Sequence, residues 1–458
     1  MTITRRRGVL LGATALAVAL AATACGSSSS SGGSKGSGGS GGSSQSATVT
    51  DADLQAALTA GGNLTVWAWE PTLKKVVADF QTKYPNVHVN LVNAGTGNDE
   101  YKALQNAVQA GKGVPDVAHI EYYALGQFEL TKSVVNLDQF GAAALNGTFT
   151  PGPWNAVQSN GGVYGLPMDS GPMAMFYNKT VFDKAGITTP PATWDEYIAD
   201  AKKIHAADPT AYITNDTGDA GFTTSMIWQA GGKPYTVDGT NVGVNFAGDP
   251  GTAKFTAAWQ QMIDGHLLAP ISSWSDPWYQ GMNTGKIASL VTGGWMPASL
   301  ESGVKNGSGQ WRVAPMPQWT AGGKVTAENG GSGLSVMKAG TNQKLAYAFL
   351  KYATVDEGAQ SRVDNGAFPA TVKQLNSPDF LNKTNPYFGD QKINQVLAQS
   401  ASEVAPGWSY LPFQVYANSV FNDTAGKAYI GGSSLADGLK AWQDASTKYA
   451  KDQGFTVK

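Results

Sequence analysis

Tryptophans and carboxylates placed where β-strands end are the residues of this chain best suited to chemistry. Trp69-Glu70 closes the apolar run Leu64 to Ala68, Glu121-Tyr122-Tyr123 follows the run Asp116 to Ile120, and Trp295 follows Gly293-Gly294 after Lys286 to Val291. A ring offers a flat apolar face and a carboxylate offers a charge-assisted acceptor. Together they suit a polyhydroxylated molecule, which presents C–H faces and hydroxyls. Asp169, just past Leu166-Pro167, joins the set, with Trp274, Asp276 and Trp278, Gly330-Gly331-Ser332-Gly333, and Trp408 to Tyr410 as further candidates. Plainer roles compete: Trp69 could pack under the helix that follows, and Glu70 could merely favour that helix's positive end. Trp67 shares a strand face with Trp69 and reads as core, and Asp116 reads as a structural residue at a strand edge.

Other chemistries are excluded by what is missing. His88, His119, His205 and His266 are scattered without metal-ligand spacing, and the only cysteine is Cys25, so no metal and no cofactor is expected. Gly32-Gly33-Ser34-Lys35-Gly36 fits a nucleophile elbow in letters alone, with no strand before it. A formal charge of -2 does not suit nucleic acid. Beyond the first residues the only arginines are Arg312 and Arg362, which argues for an uncharged ligand over a phosphate ester. Two readings stay open beside a sugar binder. One is a cell-surface glycoside hydrolase, whose paired acids would lie about 5 to 10 Å apart; the other is a binding protein for a non-sugar solute such as iron, a phosphate ester or a peptide.

The elements that must position these residues follow from hydrophobic periodicity. Leu64 to Ala68 reads as a strand, and a helix opening at Pro71 sets Leu73, Val76, Val77 and Phe80 on one face. Val87, Val89 and Leu91 alternate as a second strand, Asn98 to Ala110 is a helix with Tyr101, Leu104 and Val108 inward, and Asp116 to Ile120 is a third strand. Such alternation predicts a parallel sheet. Later, Thr193 and Glu196 form a capping box, a helix runs from Thr252 to Ile263, Leu334 to Met337 is a strand, Asn342 to Tyr352 is a helix, and a mainly helical tail follows.

The first residues carry a different message. Arg5-Arg6-Arg7 before the apolar run Val9 to Ala22 has the layout of an export signal, with a twin-arginine route open beside the general one, and the run is short for a membrane span. Ala22-Thr23-Ala24-Cys25 resembles a bacterial lipobox, which implies that Cys25 is lipidated and that the chain is held at the outer face of the cell membrane. Gly26 to Ser44 is almost wholly serine and glycine, a flexible tether. Loss of the signal would leave 29 basic residues against 34 acidic ones.

Several segments, in order, resemble the family-1 extracellular solute-binding proteins that include maltose-type binding proteins of ATP-binding-cassette importers. They are Leu64 to Trp69, Phe80 to Pro85, Gly113 to Val117, Tyr164 to Pro167, Phe176 to Lys179 with Ala185 to Ile187, Pro191 to Glu196, and Gly285 to Ala288 before Trp295. The resemblance implies an α/β, two-lobed, type II periplasmic-binding fold. Each lobe would be a mostly parallel sheet flanked by helices, with ligand in the interlobe cleft. The expected division is a signal over 1–24, lipidated Cys25 and tether over 25–47, an N-terminal lobe of 48–168 plus 319–368, and a C-terminal lobe of 169–318 plus 369–458. Crossings are expected near Pro167 to Pro172, near Val313 to Gln318, and after Asn365 to Pro369. The same resemblance makes Glu121 and Tyr122 ligand contacts and places Asp219 and Phe222, counted back from Gly231-Gly232, as the acid and stacking ring of the second lobe, with Asp216 as the alternative acid. It implies no catalysis, a small neutral carbohydrate as ligand, permease subunits as partners and a monomer.

Overall fold

The computed structural model describes residues 49–458; the signal, Cys25 and the tether lie outside the described residues. Eight strands carry the argument: β1 (Gly62–Trp67), β2 (Val87–Val92), β3 (Val117–Glu121), β4 (Leu166–Pro167), β5 (Met173–Asn178), β6 (Ser289–Gly293), β7 (Trp311–Pro315) and β8 (Ser332–Val336).

Local pattern accounts for the first lobe. Leu64 and Val66 alternate inward along β1, and the helix Leu73–Lys83 buries Leu73, Val76, Val77 and Phe80, the stripe expected of a helix lying on a sheet. The helix Asn98–Ala110 buries Tyr101 and Leu104, and with them Glu100. β2, β1 and β3 pair in parallel, and β8 then joins β3 antiparallel and carries β4 on its outer edge. One apolar core gathers residues from Leu54 to Met168 together with Leu334 to Ala370.

The second sheet departs from the expected parallel pairing. β5 sits at its centre with β6 and β7 on either side, both antiparallel, in a register that sets Gly293 against Met173 and Pro315 against Ala174. The reason is direction of travel: β5 leaves the point where the chain enters this lobe, whereas β6 and β7 run back toward it. Two further cores lie on this side. One runs from Met173 to Met316 and Ala327 and takes in Leu411 to Ala450; the other packs Trp278, Met296 and Leu300 against Phe388 and Leu397. The helix Trp194–Ala207 is capped by Thr193, whose side chain accepts from the Glu196 N–H at 3.2 Å. Glu196 reaches one residue past the expected partner, to the Ala192 N–H at 2.7 Å.

Three extended segments run side by side between the lobes. Asp169 pairs with Pro369, Pro172 pairs with Glu328, and the N–H of Met168 donates to the Ser332 carbonyl at 2.8 Å. The second crossing therefore lies at Glu328 to Ser332, later than the expected Val313 to Gln318. Gln318 explains the delay: its side chain takes the Val325 N–H at 2.9 Å and donates to the Met316 carbonyl at 2.8 Å, closing a turn that keeps the chain in the second lobe. Close approach dictates the glycines here. A Cβ on Gly171 would lie 2.2 Å from the Asn329 carbonyl oxygen, and one on Gly331, at φ +99, would lie 2.6 Å from the Tyr122 ring.

Asp116 is a tie between segments far apart in sequence, accepting the N–H groups of Thr65 and Thr341, both at 2.8 Å. Asp116→Ala is expected to cost about 2 kcal/mol, because two part-buried N–H donors lose their acceptor. Urea unfolding measures the loss; a change below about 0.5 kcal/mol would show that the tie is dispensable.

Candidate functional site

Five of the residues singled out from sequence form one connected set at the carboxyl ends of the first-lobe strands. Trp69 lies flat on His119, ring centres 3.7 Å apart, and meets the edge of Tyr101 at 6.1 Å. Tyr101 donates its hydroxyl to Glu121 at 2.9 Å and accepts the Glu121 N–H at the same distance. Tyr122 donates to the Asp169 carbonyl at 2.6 Å, and the Asp169 carboxylate accepts from the Ser332 N–H at 2.6 Å and its hydroxyl at 2.9 Å. Ser332 and His119 share a 2.7 Å hydrogen bond, so Asp169, Ser332, His119 and Trp69 form one chain of contacts. Glu70 accepts from the Thr72 N–H and hydroxyl and lies 3.7 Å from the buried Arg362 guanidinium. Arg362 also donates to the Met168 carbonyl, so it joins Glu70 to the first crossing.

The second lobe contributes Asp216, Asp219, Phe222 and Trp274, which line a cavity of about 80 Å³ together with Trp278 and Asn329. Asp219 caps the helix Ala220–Gln229 by accepting the Phe222 N–H at 2.6 Å, and Phe222 packs 5.2 Å from Trp259. Asp216 accepts from the Trp259 indole at 2.9 Å and from the Gly218 N–H at 2.8 Å. Trp295, half-buried, donates its indole N–H to the Asn329 carbonyl at 2.8 Å and stands 5.5 Å from the Trp274 ring. Tyr123 meets the Tyr101 ring at 6.1 Å; burial holds its phenol above the usual range, and the charges of Glu121 and Asp219 add to that.

Trp408 is set apart from these groups. It stacks on Trp228 at 5.2 Å and lines a different cavity, of about 240 Å³, with Tyr122, Glu129 and Tyr410. The residues that sequence reasoning passed over are Tyr101, His119, Asn329, Glu328 and Arg362. None of them carried a local signal, because each acts through a partner distant in sequence.

Burial has a common effect on the carboxyls. Desolvation pushes Glu121 up to about 6, against hydrogen bonds from Tyr101 and Tyr123. It pushes Asp216 up to about 7 and Glu328 up to about 7, the latter against hydrogen bonds from Gly171 and Ser170. Asp169 is also raised by burial, with Arg362 opposing, and Asp219 is raised despite donors at Phe222 and Gly221. His119 is driven down to about 3, first by burial and then by Arg362, and is neutral at physiological pH. A carboxyl that holds its proton can both donate and accept, which suits hydroxyl groups.

A family model described as bacterial extracellular solute-binding protein matches residues 67–360. An ABC-transporter-associated binding protein from B. animalis subsp. lactis, solved with β-1,6-galactobiose, is 45% identical. The match covers 87% of this chain and 100% of that one, with a TM-score of 0.80. The galacto-N-biose/lacto-N-biose I-binding protein of Bifidobacterium longum, solved with lacto-N-biose, is 28% identical over 87% of this chain and 99% of its own, with a TM-score of 0.77. The lactose-binding protein of Rhizobium radiobacter is 24% identical over 427 residues, 88% of this chain and 96% of that protein.

The raised carboxyls set the pH dependence of folding. Near pH 4 Glu328 is mostly protonated in both states. As pH rises toward 7 the unfolded chain releases its proton while the fold keeps it, so stability falls, by about 1.4 kcal/mol per pH unit for each such group. Glu328→Gln keeps an acceptor for the Gly171 N–H and the Ser170 hydroxyl. It is expected to match the parent near pH 4.5 and to melt several degrees higher at pH 8, checked by thermal unfolding across that range.

Proposed function

The chain belongs to the bacterial extracellular solute-binding protein family, and on that premise we propose that it captures a short, uncharged galactoside and hands it to the permease of an ATP-binding-cassette importer. The observation that carries this reading is a cluster of rings and acids in each lobe beside the crossings: Trp69, Glu70, Glu121, Tyr122 and Asp169 in the first, and Asp219, Phe222 and Trp295 in the second. Both arginines of the folded chain are already engaged with protein groups, Arg312 with the Gly309 and Trp311 carbonyls and Arg362 with Glu70 and Met168. That leaves the ligand's recognition to hydroxyl-binding acids and stacking rings. β-1,6-Galactobiose, lacto-N-biose and lactose, named for three relatives, all carry a galactose unit, and they are the first ligands to try.

The lobes take their residues from the cores. Residues 49–168 and about 332–370 form one lobe, and residues 173–327 with the tail form the other, so 319–327 moves from the first lobe to the second. Trp408 is a ligand contact only where the ligand reaches the Tyr410 side of the cleft. Lipidation of Cys25 would hold the monomer at the outer face of the membrane, and no helix among the described residues is long and apolar enough to cross one.

Calorimetry and thermal shift with β-1,6-galactobiose, lacto-N-biose, lactose and maltose test the ligand class. A ligand at about a thousand times its Kd adds roughly 4 kcal/mol of apparent stability. At least one galactoside is expected to bind with micromolar affinity, and Trp295→Ala to weaken it about tenfold or more. A shift with iron or peptides and none with any sugar would refute the proposal. Cys25→Ser is expected to release the chain from the membrane fraction; continued retention would remove the anchor.

A further inference from the structure

Trp274 breaks two rules at once. It is a bulky residue in the left-handed region, at φ +66, and its side chain is among the few large apolar ones left exposed, at 56%. A β-carbon at positive φ is strained, and an indole in water forgoes the burial that usually holds it. The ring is nevertheless well placed. Trp278 beneath it, 5.0 Å away, is buried and anchored by its own indole bond to Asn215 at 2.8 Å, and Trp295 flanks it at 5.5 Å. Trp274 thus lines the second-lobe cavity on one side and abuts Trp295 on the other.

Trp295 also borders a second cavity. This groove, of about 450 Å³, is lined by Glu301, Gln360, Asp364, Asp379 and Lys383, and falls in the size range of small-molecule sites. Its walls come from both sides of the crossings, since Gln360 and Asp364 lie on the helix Glu357–Asp364 and Glu301 on the helix Met296–Gly303. Rings on one side and hydroxyl-binding groups beyond repeat the furnishing of the cleft.

We propose that the site is open past Trp295 and takes galacto-oligosaccharides of three or more units, the third ring stacking on Trp274 and the chain continuing along this groove. The inference rests on the galactoside reading given above. The strain at Trp274 is kept because the exposed ring serves the ligand, and its outer face is the surface on which a pyranose C–H face lies.

The test compares β-1,6-linked galacto-oligosaccharides of two, three and four units by calorimetry, in the parent and in Trp274→Ala, Trp274→Phe and Trp274→Gly. The parent is expected to bind the trimer about tenfold more tightly than the dimer. Trp274→Ala should weaken the trimer about ten times more than it weakens the dimer, so that the gain with length is lost, and Trp274→Phe should recover most of that gain. Trp274→Gly relieves the backbone strain, so its melting temperature should rise while the trimer's advantage disappears. Gln360→Ala, a change on an exposed helix face, should weaken the tetramer and leave the dimer unaffected. Equal affinity for all lengths, or equal loss of dimer and trimer in Trp274→Ala, would overturn the extended site alone. No binding at any length would overturn it together with the galactoside reading.

Discussion

Asp169 stands where the lobes meet, and its half-buried carboxylate must be satisfied largely by the protein. Isolated in the interior, a charge of this kind would cost several kcal/mol. Here it takes two hydrogen bonds from Ser332 on the neighbouring crossing and lies within the field of Arg362. Arg362 is bound in turn to Glu70 and to the backbone of the first crossing. The mouth of the first-lobe sheet, the crossing strands and the helix Glu357–Asp364 are therefore one electrostatic unit. Trp69 rests on the His119 ring, which burial first and Arg362 second keep neutral.

This constraint explains the division of labour in the cleft. The groups that hold the crossings are already hydrogen-bonded, so they shape the floor, while the half-buried Trp295 and the exposed Trp274 leave ring surface uncovered. Burial lifts Glu121 and Asp216 toward neutrality, where a carboxyl can give a proton to one hydroxyl and accept from another. A cationic ligand would have to ionise them against desolvation, and an anionic one would meet their residual charge. An uncharged hydroxylated ligand incurs neither cost. Hinge closure suits such a site, because hydrogen bonds and stacked faces strengthen as water leaves.

Local pattern made much of the first lobe legible. The stripe Leu73, Val76, Val77 and Phe80, the alternation in β1 and the strand-end positions of Trp69 and Glu121 all lie within a few residues of one another. The second lobe was harder to read. Whether β5, β6 and β7 run parallel or antiparallel depends on where the chain enters and leaves, and β5 and β7 are more than a hundred residues apart. The delay of the second crossing likewise hangs on one glutamine amide closing a turn, a contact with no periodicity.

What the sequence by itself determined was the alternation of strand and helix, the family signature, and the short list of rings and acids at strand ends, because hydrophobic period and residue type are local properties. Tertiary structure alone decided how those residues are used. His119 meets Ser332 across 213 positions, Arg362 meets Glu70 and Met168, and Trp274 is left exposed beside Trp295 while Trp408 stacks on Trp228. The physical reason is that a side chain's partners and its share of water are set by packing between distant segments, which no short stretch of chain encodes.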